Sequence, residues 1–222
     1  MRFDAIIFDF DGVLIESEYV GNAHLAGLLT ELGHPVSVED ALTRFSGLSG
    51  QAFYDAIEAH IGHRLPEGFH QGRAEEDARV LREGLEAVAG AVDFVRDLPT
   101  DLPRAIASSS RVNWIATHLA HLGLADAFGD RLFSGREHVA RGKPAPDIYL
   151  HAARALGVDI ARTVILEDSE VGATGAVASG AHVIGLAAGS HCLDGHDARL
   201  RARGVHAVAH DFHEVRRLIG MI

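Results

Sequence analysis

Cysteine occurs once in the chain, as Cys192, so no internal disulfide can form and a reducing compartment is the expected setting. Long apolar runs are also missing. None approaches the roughly 18 residues that span a bilayer, and the first residues lack the basic-then-apolar order of a secretion signal. A cytoplasmic protein without membrane partners is expected. Positive charge is scarce too: the formal net charge is -11, which argues against nucleic acid or an anionic membrane surface as a partner. Lysine is the scarcest cation. Lys143, in "RGKPAPDIY", is the only one, and arginine fills every other cationic position. Lysine is a compact point charge and arginine a planar fork, so the exception can be chemical; compositional drift is the plain alternative. Histidine is plentiful at fifteen, but the residues are scattered and no His-Cys group has zinc spacing.

What is present is apolar and ordered. At 47% apolar over 222 residues, the chain can bury a core and is long enough for one large domain or a core with an insertion. Residues 3–10 have the pattern of a buried strand, and shorter apolar runs follow at 104–107, 163–166, 182–186 and, more weakly, 205–209. Helical periodicity separates them near 111–123, 147–157, 170–180 and 212–220. Strands alternating with helices predict an α/β fold with a doubly wound parallel sheet, Rossmann-like in type. Residues 16–86 break the rhythm, with helical patterns and no strand. The expected division is a catalytic core of 1–15 and 87–222 and an all-helical cap of 16–86, with a monomer as the expected state.

In open parallel sheets ligands sit at the carboxyl ends of the strands. There the chain places Asp9 and Asp11 in "AIIFDFDGVLIESE", Ser108, Ser109 and Ser110 after 104–107, and Glu167 and Asp168 after 163–166; Lys143 precedes the helix near 147. Carboxylates at this density repel one another unless a cation joins them. Oxygen-only donors favour a hard ion, and Mg2+ takes one or two carboxylates plus a substrate phosphate. A carboxylate beside such an ion can attack phosphorus, and a second one two residues on can serve as acid and then base. Ser109 and Ser110 also suit an N-cap for a helix beginning at Arg111, and Ser169 a cap for the helix after it.

The segments "DFDGVLIES", "IASSS", "GKPAPDIY" and "LEDSEVGA" resemble, in order, the four motifs of the haloacid dehalogenase-like superfamily, in its phosphatase and β-phosphoglucomutase-like branch. The likeness covers nearly the whole chain, more loosely over the helical cap. It implies that Asp9 is a nucleophile and Mg2+ ligand, and that Asp11 is the general acid/base whose backbone carbonyl also holds the ion. It implies that Ser108 bonds phosphoryl oxygens, that Lys143 bridges phosphate and nucleophile, and that Asp168 binds Mg2+, with Glu167 binding directly or through water. Ser109, and Arg44 and Gln51 beside the "SGLSG" turn, are the further candidates for substrate contact; Arg44 suits a surface position and Gln51 a helix start equally well.

Departures from the family narrow the expectation. True dehalogenases of the superfamily lack the second aspartate. Phosphonate-cleaving relatives use a cap lysine, absent here. The phosphoglucomutases carry a cap arginine where this chain has Gly50, and a histidine shortly after the first motif, where this chain has Gly21, with His24, the nearest histidine, one helical turn away as the alternative match. The resemblance therefore implies a Mg2+-dependent phosphatase of sugar, aldonate or polyol phosphates, a class that includes the 6-phosphogluconate type. A phosphomutase is the alternative, and a non-catalytic binder of phosphate esters is the alternative of another class.

Overall fold

The computed structural model describes residues 3–48 and 50–222. The chain opens with β1 (Ala5–Phe8), whose residues are all buried. Four helices follow: α1 (Ser17–Glu31), α2 (Val38–Phe45), α3 (Gln51–Ile61) and α4 (Phe69–Glu83). Then come α5 (Ala91–Asp97), β2 (Arg104–Ser108), α6 (Val112–His121), α7 (Ala125–Phe128), β3 (Leu132–Ser134) and α8 (Asp147–Leu156). The last third holds β4 (Thr163–Glu167), α9 (Glu170–Ala178), β5 (His182–Leu186), α10 (His196–Ala202), β6 (Ala207–Ala209) and α11 (Phe212–Ile219).

All strands join one six-stranded sheet in the order β3-β2-β1-β4-β5-β6, and every pairing is parallel. The order reverses at β1, between β2 and β4, which is where a doubly wound sheet opens a crevice for a ligand. Strand periodicity explains the core. Ile6 and Phe8 point into one apolar layer, with Phe94, Phe128 and Ile106, and Ile7 points into the other, with Tyr149, Ile148 and Ile165. Phe8 is fully buried and meets Phe94 and Phe128 edge-on at 6.1 and 5.6 Å.

Two differences from the sequence expectation have local causes. The sequence pattern predicts no strand at β3, because Leu132–Ser134 is too short to show alternation. The helix expected near 111–123 ends at His121, and Ala125–Phe128 forms a separate turn of helix.

The chain divides into two compact units: the described residues up to Glu16 together with Gly84–Ile222, and Ser17–Glu83. The second is all helical. Leu25, Leu29, Ala41, Phe45, Ile57 and Phe69 form its core, and Ser37 caps α2 by accepting from Asp40 N–H. Gly84–Glu86 lie with the sheet because the chain is tied there on its way back: Glu16 N–H donates to Glu86 O at 2.9 Å, Val88 N–H to Leu14 O at 3.1 Å, and Ile15 bridges Ala87. No helix among the described residues is long and apolar enough to cross a membrane.

Truncating Phe8 would open a cavity between α5, α7 and the sheet. Phe8→Ala should lower unfolding free energy by about 3–5 kcal/mol, measured as a shift in the urea midpoint at unchanged slope.

Candidate active site

β1 does not stop at Phe8 in its backbone pairing. Asp9 N–H still donates to Leu166 O at 2.9 Å, so the Asp9 carboxylate emerges at the sheet's carboxyl end beside the end of β4. The chain then reverses at Gly12, whose φ of 76° a side chain would strain. Space forbids a side chain there as well, since a Cβ on Gly12 would sit 2.0 Å from Asp168 Oδ2.

Lys143 joins the acidic groups. Its Nζ lies 2.7 Å from Asp9 Oδ1 and 2.5 Å from Glu167 Oε1, with the ammonium side chain 4% exposed. Glu167 is saturated. Oε1 also accepts from Tyr149 OH at 2.8 Å, and Oε2 accepts from Ser169 N–H at 2.9 Å and Ser169 Oγ at 3.0 Å. Ser169 also caps α9, accepting from Gly172 N–H at 3.0 Å. Gly172 leaves the carboxylate its room: a Cβ there would lie 1.7 Å from Glu167 Oε1.

Asp168 completes the cluster. Asp9, Glu167 and Asp168, all buried, each bring a carboxylate oxygen within 4.8 Å of the others. Asp168 Oδ2 pairs with His191 Nε2 at 2.8 Å, while Asp168 Oδ1 is buried with no hydrogen-bond partner among the described residues. A buried, unpartnered carboxylate oxygen is costly. Together with the neighbouring Asp9 carboxylate it is what a hard divalent cation would satisfy, so the oxygen donors fit Mg2+.

The electrostatics agree. Burial, then the charge of Glu167, holds the Asp9 carboxyl well above the usual range despite Lys143. Burial would raise Glu167 too, but the Lys143 charge and the bonds from Lys143, Ser169 and Tyr149 outweigh it and hold Glu167 low. Burial would lower Lys143; Asp9 and Glu167 overcome that and raise it. For His191, burial is likewise overcome by Asp168, which pushes the imidazole up to about 11. In the absence of a metal ion, the site thus holds one ammonium and one imidazolium against its carboxylates.

Asp11 belongs to a second network. Ser110 Oγ donates to its Oδ2 at 2.6 Å, Ser108 Oγ to the same oxygen at 3.3 Å, and Trp114 Nε1 to its Oδ1 at 3.1 Å. Ser108 Oγ in turn accepts from Ser110 N–H at 2.9 Å. The helix-cap reading of the serine run is therefore corrected. The N-cap of α6 is Arg111 with no side-chain cap bond, because the Ser110 hydroxyl is committed to Asp11; Ser109 is exposed. Arg44 and Gln51 lie in the helical unit and have partners there. Arg44 pairs with Asp40 at 4.0 Å and Gln51 donates to Asp55 at 2.8 Å. Ser49, in the same turn, falls outside the described residues.

The sequence reading missed Tyr149, Trp114 and His191, each the hydrogen-bond partner of a candidate carboxylate. Tyr149 stood inside the quoted "GKPAPDIY", a signal that could have found it. No His-Cys group has the sequence spacing of a zinc motif, yet the fold brings ligand atoms of His191, Cys192 and His196 within 4.8 Å of one another.

A folded-state pKa above the unfolded one means that the folded chain keeps a proton the unfolded chain releases. For Asp9, stability is therefore lost as pH rises from its ordinary value of 3.8 toward the higher folded value. In metal-free buffer Asp9→Asn should raise the urea midpoint at pH 7, and the difference should close as pH falls below 3.8.

Comparison with known proteins follows the same line. The family description "haloacid dehalogenase-like hydrolase" matches residues 3–180. The chain is 30% identical over 192 residues to the 6-phosphogluconate phosphatase of Escherichia coli (strain K12), covering 86% of this chain and 85% of that protein. Among solved structures it resembles a haloacid dehalogenase-like protein of Agrobacterium tumefaciens, with a TM-score of 0.89 and 33% identity over 99% of this chain and 98% of the other. It also resembles a hydrolase of the same family from Deinococcus radiodurans, solved with bound phosphate and sodium, with a TM-score of 0.85 and 29% identity over 99% and 96% of the two chains. The order of the strands, the acid cluster at the sheet's carboxyl end and these likenesses together make the chain a member of the haloacid dehalogenase-like hydrolase family, on its sugar-phosphate phosphatase and β-phosphoglucomutase-like branch.

Proposed function

We propose that this protein is a Mg2+-dependent phosphatase that hydrolyses small phosphate monoesters, with sugar, aldonate and polyol phosphates as the substrate class. The observation that carries the reading is the buried meeting of Asp9, Glu167, Asp168 and Lys143, with one Asp168 oxygen left unsatisfied. The E. coli relative's 6-phosphogluconate activity supports the choice of substrate class.

Asp9, the Asp11 carbonyl and Asp168 would hold the Mg2+, which when bound supplies positive charge to the phosphoryl oxygens and to Asp9. Because all its acceptor positions are taken, Glu167 works from behind: it fixes the Lys143 ammonium, and through it the Asp9 carboxylate. Asp9 Oδ attacks phosphorus, forming an acyl phosphate as the ester P–O bond breaks, and Asp11 passes a proton to the departing alkoxide. Asp11 then takes a proton from water, whose oxygen attacks phosphorus and releases inorganic phosphate and the Asp9 carboxylate. Ser108 and Lys143 hold the phosphoryl oxygens through both halves. Ser110 and Trp114 aim Asp11. The helical unit, in this reading, is a cap that keeps bulk water from the acyl phosphate. With Gly50 where the mutases carry an arginine, water is the acceptor in this reading.

The test is phosphate release from a panel of sugar, aldonate and polyol phosphates with Mg2+. Asp9→Asn should abolish turnover, and wild-type turnover in that variant would sink the mechanism. Asp11→Asn should lower kcat about 10²–10⁴-fold. Conversion of a sugar 1-phosphate to its 6-phosphate without net phosphate release would mean a mutase instead, and tight binding of esters without turnover would mean a binding protein. Trp114→Phe removes one hydrogen bond to Asp11 while keeping an aromatic ring. It should lower kcat less than Asp11→Asn does and leave KM near wild type, as measured in the same assay.

A further inference from the structure

Beside the carboxylate cluster, and touching it at Asp168, a second group of ligating side chains among the described residues takes no step in the proposed reaction. His191, Cys192 and His196 lie on the turn after β5 and at the start of α10, each with a donor atom within 4.8 Å of the others. The place is built rather than incidental. His191 is 8% exposed, and its Nδ1 is buried without a hydrogen-bond partner among the described residues. Its ring fills a slot left by two glycines: a Cβ on Gly189 would lie 2.6 Å from ring atoms Nδ1 and Cε1, and one on Gly12 would lie 2.9 Å from Cε1. The turn is tied down by Ser190 N–H, which donates to the Glu16 carboxylate at 3.0 Å. His196 is oriented at both nitrogens, donating from Nε2 to the Asp168 carbonyl oxygen at 2.7 Å and accepting at Nδ1 from Arg199 at 3.3 Å. A backbone carbonyl behind an imidazole is the usual outer support of a metal-binding histidine.

The donor set selects the ion. One thiolate and two imidazoles suit a borderline-soft transition ion and not Mg2+. In a tetrahedral zinc site, bonds of about 2.05 Å to nitrogen and about 2.3 Å to sulfur set those two donors about 3.5 Å apart. His191 Nε2 and Cys192 Sγ are 3.5 Å apart, and Asp168 Oδ2 borders the group at 2.8 Å from the same nitrogen.

We propose that His191, Cys192 and His196, bordered by the Asp168 carboxylate, form a binding site for Zn2+ or a chemically similar transition ion, distinct from the hard-cation site at Asp9 and Asp168 Oδ1. On binding, the Cys192 thiol and the His191 Nε2 each release a proton to solvent as metal–sulfur and metal–nitrogen bonds form. One of the two bonds at His196 gives way to the ion, and no electron moves. The thiolate and the Asp168 carboxylate balance the ion's two charges. Because Asp168 borders both sites through different oxygens, occupancy of the softer one alters the affinity of the harder one, and zinc raises the Mg2+ concentration needed for any activity that uses it.

Cobalt titration of the metal-free, full-length protein, in buffer without thiol reductant, tests the proposal optically and stands whether or not phosphate esters are hydrolysed. The expected result is an intense thiolate-to-cobalt band in the near ultraviolet, saturating at one equivalent and persisting in excess Mg2+. Cys192→Ser should lose the band, and His196→Gln should weaken cobalt binding at least ~10-fold, with far-ultraviolet circular dichroism unchanged in both. Asp9→Asn, which disturbs only the hard-cation site, should keep the band. Absence of the band in the wild type, its persistence in Cys192→Ser, or its loss to excess Mg2+ would overturn the proposal.

Discussion

Between Asp9 and Glu167 lies the Lys143 ammonium, 2.7 Å from one carboxylate and 2.5 Å from the other, with almost none of it in contact with solvent. Three separate segments meet in that contact: the end of β1, the end of β4 and the loop before α8. Removing the Lys143 ammonium would leave the Asp9 and Glu167 carboxylates uncompensated, at a cost of about 3–5 kcal/mol. Everything around it keeps the ammonium in place. Tyr149, from α8, and Ser169, at the start of α9, fill the remaining acceptor positions of Glu167, so that the carboxylate has one orientation. Gly172 leaves space for that orientation and Gly12 leaves it for Asp168.

The same cluster is unbalanced on purpose-built ground. The Lys143 ammonium and the His191 imidazolium together do not neutralise three carboxylates, and the excess shows in the raised Asp9 carboxyl and the unpartnered Asp168 oxygen. Such a site is held short of its own electrostatic minimum by a deficit of positive charge, and a divalent ion is the natural complement. Affinity for the ion and readiness of Asp9 to ionise are in this sense one property.

Much of this was legible in the sequence. Asp9, Asp11, Glu167 and Asp168 announce themselves because carboxylates directly after buried strands are rare and costly, and Lys143 because it is the only lysine. The parallel sheet follows from alternating strand and helix patterns. What stayed hidden is what depends on distant pairing. Trp114 and Ser110 lie about a hundred residues from Asp11, and nothing local marks either as its partner. β3 is three residues long and carries no period. His191, Cys192 and His196 lack the spacing of a metal motif, and only the turn after β5, with glycines on two sides of the imidazole, brings them together.

The paired backbone at Glu16 and Glu86, with Ile15 against Ala87, means that the chain departs from the sheet and returns to it at nearly the same point. Seen from the sheet, the whole helical excursion is a closed loop, and loop closure costs little more for a long insert than for a short one. The two ends are fixed by main-chain bonds that do not depend on side-chain identity. An insert of different length or composition can therefore be grafted at this junction while β1 and the polar strand termini keep their register. The polar strand termini and the helical insert are thereby separable stretches of one polypeptide, free to diverge at different rates.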